Sequence, residues 1–198
     1  MMDEAENSEG KRSNLLCHKD LLKFSPLPGK PIRMLDPSTG KLFEGTAYST
    51  MDTVSGLLSI TYVQYRNGVQ EGLRVKVLED GRVLNRMVMK NTLLHGKSES
   101  FYLTGLPSSL LTFRIADCRQ SDLHEIKVWK PNGLRCPHSG MDDEGDGVRY
   151  HYNEDGIVDG ISFFEKHRIR NEIYYHKGRF SAAWAYQEYP DHKEWSVV

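Results

Sequence analysis

The chain has 198 residues, of which 38% are hydrophobic and 27% are charged, and its net charge at pH 7 is −1. This length is enough for one domain with a real core, or for two small units that share a continuous sheet. The near-zero charge argues against nucleic-acid binding, because proteins that neutralise many phosphates usually carry a basic excess.

Cysteine usage and the N-terminal sequence indicate a reducing compartment. The three cysteines, Cys17, Cys118 and Cys136, are odd in number and widely separated, which is not a disulfide framework. The stretch from Met1 to Asn14 is polar and mixed in charge, unlike a secretory signal, and no later run reaches the roughly twenty apolar residues of a membrane span. We therefore expect a cytoplasmic protein.

The N-terminal part of the chain is predicted to differ from the rest. Residues 1–30 are expected to be disordered or irregular, with the leucine-rich stretch 15–24 forming either a short helix or an edge segment. The cluster Ser25–Pro31 contains three prolines and a glycine and predicts a turn or linker. Residues 31–198 are predicted to form a single β-repeat domain, with an irregular middle at about 97–140.

Alternation of apolar and polar residues, rather than helical periodicity, dominates the chain after residue 30. Side chains two apart share one face of a strand, so each such run predicts a strand with one apolar face. Four runs are clearest, and each places its apolar residues on one face of its own strand. They are Leu73, Val75 and Val77; Leu111, Phe113 and Ile115; Val148, Tyr150 and Tyr152; and Phe180, Ala182, Trp184 and Tyr186. A short helical turn is predicted only near Gln120–His124.

Glycine-containing turns divide these strands at regular intervals. Asn67–Gly68, Asp80–Gly81, Asn132–Gly133 and Asp155–Gly156 are dipeptides that reach positive φ cheaply at tight turns. A second glycine follows two of them at the same spacing, at Gly72 and Gly160. The predicted fold is therefore mostly β: an antiparallel meander of hairpin repeats that forms an elongated twisted sheet, because one hairpin cannot bury its apolar face alone.

Residues with metal-binding or catalytic potential are present but scattered. No pair of the eight histidines has the spacing of a helical two-histidine site or a zinc finger. The closest pair is Cys136 and His138, for which Cys118 and His151 are the available further zinc ligands; we favour a polar loop without metal. No nucleophile elbow, phosphate-binding glycine loop or dinucleotide motif occurs. We therefore expect neither enzymatic activity nor a cofactor.

A dense acidic run is the first candidate for partner binding. Asp142, Asp143, Glu144 and Asp146 lie within five residues that also contain a glycine, a composition that Ca²⁺ sites share. The spacing does not follow the EF-hand loop, so we favour a solvated loop. Such a loop can complement a basic partner, including the positively charged groove of a nuclease toxin.

Aromatic residues in the last quarter of the chain are the second candidate. Most of them should belong to the core, but a sheet covered on one side must leave some aromatic side chains on its open face. Tyr150, Tyr152 and Trp184 are predicted partner-binding residues, because exposed Tyr and Trp beside Arg and His make effective anchors for a protein partner.

The units Gly56–Gly81 and Gly147–Arg168 resemble MORN-type repeats. The likeness covers roughly Gly40–Gly96 and Gly147–Gly178 and is closest to the bacterial variant found in antitoxin-like and immunity-like proteins. The resemblance implies a twisted antiparallel meander that acts as a recognition surface. It predicts a non-catalytic immunity or antitoxin-like protein that neutralises a cognate toxin or effector by direct binding, as a monomer or as a homodimer through an edge strand.

Two other functions remain open. A MORN-like scaffold could bind anionic lipids through the basic segment Lys166–Arg170, although membrane contact is not our expectation. A small enzyme could assemble a site from His138, His151 and the acidic run, and we rank this last.

Overall fold

A computed structural model of the chain describes residues 16–18, 23–25, 33–52, 56–117, 120–176, 179–188 and 193–197. The described chain is all-β and contains no helix. Fifteen of its strands follow one another mainly through antiparallel hairpins, and this confirms the predicted mostly-β meander of hairpins. Among the described strands, the one parallel pairing joins Leu16–His18 to Gly45–Asp52 at the edge of a sheet.

The meander runs through two sheets rather than one. The first has eight strands in the order β1-β4-β5-β6-β7-β8-β9-β10, and the second has six, β11 to β16 in sequence order; β2 and β3 form a separate pair. The strands are β1 Leu16–His18, β2 Lys23–Ser25, β3 Arg33–Leu35, β4 Gly45–Asp52, β5 Leu58–Arg66, β6 Val69–Leu78, β7 Val83–Lys90, β8 Leu93–Phe101, β9 Pro107–Asp117, β10 Gln120–Val128, β11 Gly140–Met141, β12 Gly147–Tyr152, β13 Val158–Glu165, β14 Arg168–His176, β15 Arg179–Glu188 and β16 Lys193–Val197.

The two ends of the eight-stranded sheet use different turns. At one end the turns have two residues, both with positive φ, as in Asn67–Gly68 and Asn91–Thr92. At the other end a three-residue turn closes on a positive-φ glycine, Gly81 or Gly105, whose N–H donates to the carbonyl three residues earlier. Both turn types have the hand that suits twisted hairpins. Equivalent turns lie 24 residues apart along the chain, which is the length of two strands with their turns.

The first core cluster lies on one face of β4 and β5. Phe43 is fully buried beside Tyr65, with the two rings edge to face and their centroids 5.8 Å apart. The chain around Met34 covers them and is held by backbone hydrogen bonds to the β5–β6 turn, including Met34 N–H to Gly68 O at 2.8 Å. A side chain at Gly68 would place its Cβ 2.6 Å from the Met34 carbonyl oxygen, so this packing requires glycine.

The second core cluster joins the two sheets. It comprises Leu111, Leu123, Ile126, Val128, Cys136 and Phe164, with Phe113, Met141, Tyr150, Tyr152 and Ile169 packed against it. Polar contacts cross the same boundary: the Leu123 N–H donates to the His167 carbonyl at 3.2 Å, and the Leu103 N–H donates to Glu154 Oε1 at 3.0 Å. The last two strands of one sheet therefore pack on the first strands of the next.

The turns and strands named in the sequence analysis occur largely where they were predicted. The four Asn/Asp-Gly dipeptides all lie in turns, and the four alternating runs lie on β6, β9, β12 and β15. The predicted helical turn near Gln120–His124 is wrong, because this segment belongs to β10. A bulge between Leu123 and Glu125 brings Leu123 and Ile126 to the buried side at a spacing of three, which resembles a helix.

The stretch predicted as an irregular middle contains most of β8 and all of β9 and β10. Between them and β11 lies the segment 129–139, which has an isolated bridge, Trp129 to Arg135, and turns at Asn132–Gly133 and Pro137–His138. Residues 1–15, in the segment predicted as disordered, lie outside the described part of the chain. No helix in the described ranges could cross a membrane.

Candidate functional site

The predicted acidic run forms the turn between β11 and β12. Two of its carboxylates are used within the fold: Asp142 Oδ1 accepts from the Asp146 N–H at 2.8 Å, and Asp146 Oδ1 accepts from the Lys166 N–H at 3.0 Å. Asp143 and Glu144 are exposed at the tip of the turn. Asp142 and Asp146 are exposed too but also hold the turns, so Asp143 and Glu144 are the carboxylates best placed to meet a partner.

The acidic turn packs against the Lys166–His167 turn between β13 and β14. The His167 N–H donates to the Gly145 carbonyl at 2.8 Å, and a Cβ at Gly145 would lie 2.5 Å from the His167 ring. Both Lys166 and His167 have positive φ, near 49° and 68°. A single-sign surface does not form here, because acidic and basic residues lie side by side.

The cations that follow this turn are paired with carboxylates of the chain. Arg168 Nε lies 3.7 Å from Asp122 Oδ1, and Arg170 Nε lies 2.7 Å from Glu165 Oε2. Anionic lipids would therefore have to compete with these carboxylates for both guanidinium groups, which weakens the case for a lipid-binding segment.

The two tyrosines predicted for partner binding pack at the join between the sheets. Tyr150 and Tyr152 are partly buried and contact the second core cluster. The Tyr152 hydroxyl lies 3.2 Å from the fully buried Cys136 Sγ, and burial together with this thiol raises the pKa of Tyr152. Lys130 Nζ lies 5.6 Å from the centre of the Tyr152 ring. This placement gives Tyr152 a role in joining the sheets.

Trp184 lies on β15, where its backbone pairs with Glu172 on one side and Val197 on the other. Its side chain lies outside the described part of the structure. The structure does not bring Tyr152 and the acidic turn into one surface, since they lie at opposite ends of β12.

A chain of polar side chains crosses the inner face of the second sheet. His151 Nε2, Ser162 Oγ and Glu172 Oε1 follow one another at 2.8 Å each, and the Tyr174 hydroxyl donates to Glu172 Oε2, also at 2.8 Å. Ser162 donates its single proton to Glu172, so His151 must be the donor to Ser162. Burial and the neighbouring Arg149 lower the pKa of His151 to about 4, which keeps the imidazole neutral.

The zinc candidates of the sequence analysis do not assemble among the described residues. Cys136 lies beside Tyr152 and Ser139, while His138 lies near Tyr150, with 6.1 Å between ring centres. Cys118 is outside the described residues. No group of three or more His, Cys, Asp or Glu side chains in the described ranges has the geometry to hold a metal ion.

A cavity of about 380 Å³ lies between the sheets, near the second core cluster. Side chains of β9 and β10 line one wall, and Arg149, Phe164 and the first residues of β14 line the other. Burial lowers the pKa of Arg149, and its Nε has no hydrogen-bond partner among the described residues. The sequence carries no signal of this burial, because an arginine between Val148 and Tyr150 is typical of the solvent-facing side of a strand.

The other notable surface is the face of the eight-stranded sheet that points away from both core clusters, which we call the outer face. On β5, Ser59, Thr61, Val63 and Tyr65 are buried, so the alternating residues Ile60 and Tyr62 point to the outer face. Register places on the same face an apolar group of Tyr48, Ile60, Tyr62, Leu73, Val75, Val77 and Val88.

Although the outer face belongs to central strands of the sheet, its apolar side chains remain at least partly exposed to solvent. Leu73 and Val88 are opposite each other and are 42% and 39% exposed. The rings of Tyr48 and Tyr62 lie side by side, with centroids 6.4 Å apart. Among the described strands, β5, β6 and β7 pack extensively only with their sheet neighbours. Contiguous apolar area of this kind is typical of interaction surfaces.

No protein-family model and no curated protein matches this chain significantly.

Proposed function

We propose that this chain is a non-catalytic protein-binding module whose partner docks on the outer face of the eight-stranded sheet. The observation that carries the proposal is the open apolar group on that face, in particular the cross-strand pair Leu73 and Val88 flanked by Tyr62. Aromatic and aliphatic side chains held on a rigid sheet are suitable anchors, because little entropy is lost when they are covered.

The kind of partner follows from the resemblance to MORN-type repeats. We propose an immunity or antitoxin-like role in the cytoplasm, in which the bound chain occupies the active surface of a cognate toxin or effector. Asp143 and Glu144 would then add rim charges that speed association with a basic partner, while the outer face supplies most of the affinity.

Co-expression with the product of the neighbouring gene tests the proposal. The expected result is a stable one-to-one complex and protection of cells from that product. Leu73→Lys should weaken binding by at least ~30-fold, since it places a charge where an anchor is desolvated. Leu134→Lys is the matched control, because Leu134 is 65% exposed in the segment between the two sheets.

Two results would contradict the proposal in different ways. If Leu73→Lys binds as the wild type does while Asp143→Asn with Glu144→Gln abolishes binding, the acidic turn is the site and the outer face is not. If the neighbouring product neither binds nor harms cells, the antitoxin-like role is wrong, whichever surface the chain uses.

A further inference from the structure

We propose that the cavity between the two sheets binds a small amphipathic carboxylate, with the ligand's carboxylate on Arg149 and its apolar body between β9, β10 and β13. This inference is independent of the protein-binding role, since the cavity lies between the sheets and the outer face points away from it.

The walls of the cavity select for an apolar ligand body. Leu111, Phe113 and Leu123 come from the first sheet, and Phe164 and Ile169 from the second. The volume of about 380 Å³ lies at the lower end of the range of small-molecule sites, about 300 to 1,000 Å³. The cavity therefore suits a compact ligand with a short alkyl chain or a single ring.

The environment of Arg149 indicates that the ligand carries a negative charge. Its only hydrogen bond among the described residues is a long one, from Nη2 to Ser109 Oγ at 3.4 Å, and its Nε is buried without a partner. The carboxylate of Glu172, whose charge acts on Arg149, is already engaged by Ser162 and Tyr174. A buried guanidinium without a paired anion is costly, so an anion entering the cavity gains both charge and hydrogen bonds.

The charge arrangement favours a monoanion over a phosphate. Arg149 is the one guanidinium buried in the cavity wall, and the other arginine there, Arg168, is part-exposed and lies 3.7 Å from Asp122. One guanidinium presents two parallel donors that match a single carboxylate. The carboxylate of Asp122, beside Arg168, would repel a more highly charged headgroup more strongly than a monoanion.

The test compares octanoate with 1-octanol, which has the same chain length and no charge, by calorimetry and thermal unfolding of the full chain. Octanoate should bind one to one and raise the unfolding temperature, and 1-octanol should bind at least tenfold more weakly. Arg149→Met should abolish the preference for the acid while the protein stays folded, since an apolar side chain replaces a buried charge.

A second variant keeps Arg149 and removes the space. Ile169→Trp should fill the cavity and block both probes. Arg86→Met, on the outer face, is the matched control and should leave both affinities unchanged. The proposal is overturned if octanoate does not bind the folded wild type at millimolar concentration, if acid and alcohol bind equally, or if Arg149→Met keeps the preference.

Discussion

Acid should destabilise the protein through one buried histidine, His151. The ring lies on the inner face of the second sheet, donates to Ser162 and faces the guanidinium of Arg149, and burial with this neighbour lowers its pKa to about 4. An unfolded histidine titrates near its ordinary value of about 6.5. Between these two values the unfolded chain binds a proton that the folded chain does not.

The sign and size of the effect follow from this difference. Above about pH 6.5 both states are neutral at His151 and the free energy of unfolding is unaffected. As the pH falls towards about 4, protonation of the unfolded state lowers it progressively. The full loss is on the order of 3 kcal/mol, since one pKa unit corresponds to about 1.4 kcal/mol.

Urea unfolding at several pH values between neutral and about 4 measures this loss. The reference is His151→Gln, whose side chain stays neutral and keeps an N–H donor for Ser162. The free energy of unfolding of the wild type minus that of the variant should fall by up to ~3 kcal/mol from neutral pH to about pH 4. The variant should therefore become the more stable protein in acid. A flat difference for His151→Gln would refute the reasoning.

Three substitutions test the turns and the first core cluster by chemical denaturation. Phe43→Ala should cost about 3 to 5 kcal/mol, because Phe43 is fully buried and its removal leaves a cavity; a cost below about 1 kcal/mol would show that Phe43 is not a core residue. Gly68→Ala should destabilise more than Gly40→Ala: both glycines have positive φ, but only a Cβ at Gly68 meets the Met34 carbonyl, and equal costs would contradict the contact. Thr92→Gly should stabilise by up to ~1 kcal/mol, since Thr92 is β-branched and has a φ of 69°; a loss of stability would mean that the turn is not strained.

The strands and many of the turns could be predicted from local sequence. Alternation in the stretch from Leu73 to Val77 predicts a strand, because successive side chains of a strand point to opposite faces. Asn67–Gly68 predicts a two-residue turn, because both positions of such a turn need positive φ. The turns at Asn91–Thr92 and Lys166–His167 lack glycine and carry no comparable signal. They are held by distant partners: the Asn91 N–H by Glu71, and the His167 N–H by the carbonyl of Gly145.

Which face of each strand is covered could not be predicted, since period-two alternation distinguishes two faces without saying what packs on either. The run Val148, Tyr150, Tyr152 predicted an open aromatic face, and the structure places Tyr150 and Tyr152 against the second core cluster. Arg149 lies on the side of the strand that the alternation assigns to solvent, but it is buried where the second sheet packs on β9.

Sequence by itself determined the all-β meander and most of its hairpin positions, because turn chemistry and strand periodicity act over a few residues. Only the tertiary structure decided that the meander divides after Val128 and that its two parts pack together around Phe164. That packing creates the cavity at Arg149 and leaves the outer face around Leu73 and Val88 open. Both features depend on contacts between residues far apart in the chain, which no local pattern records.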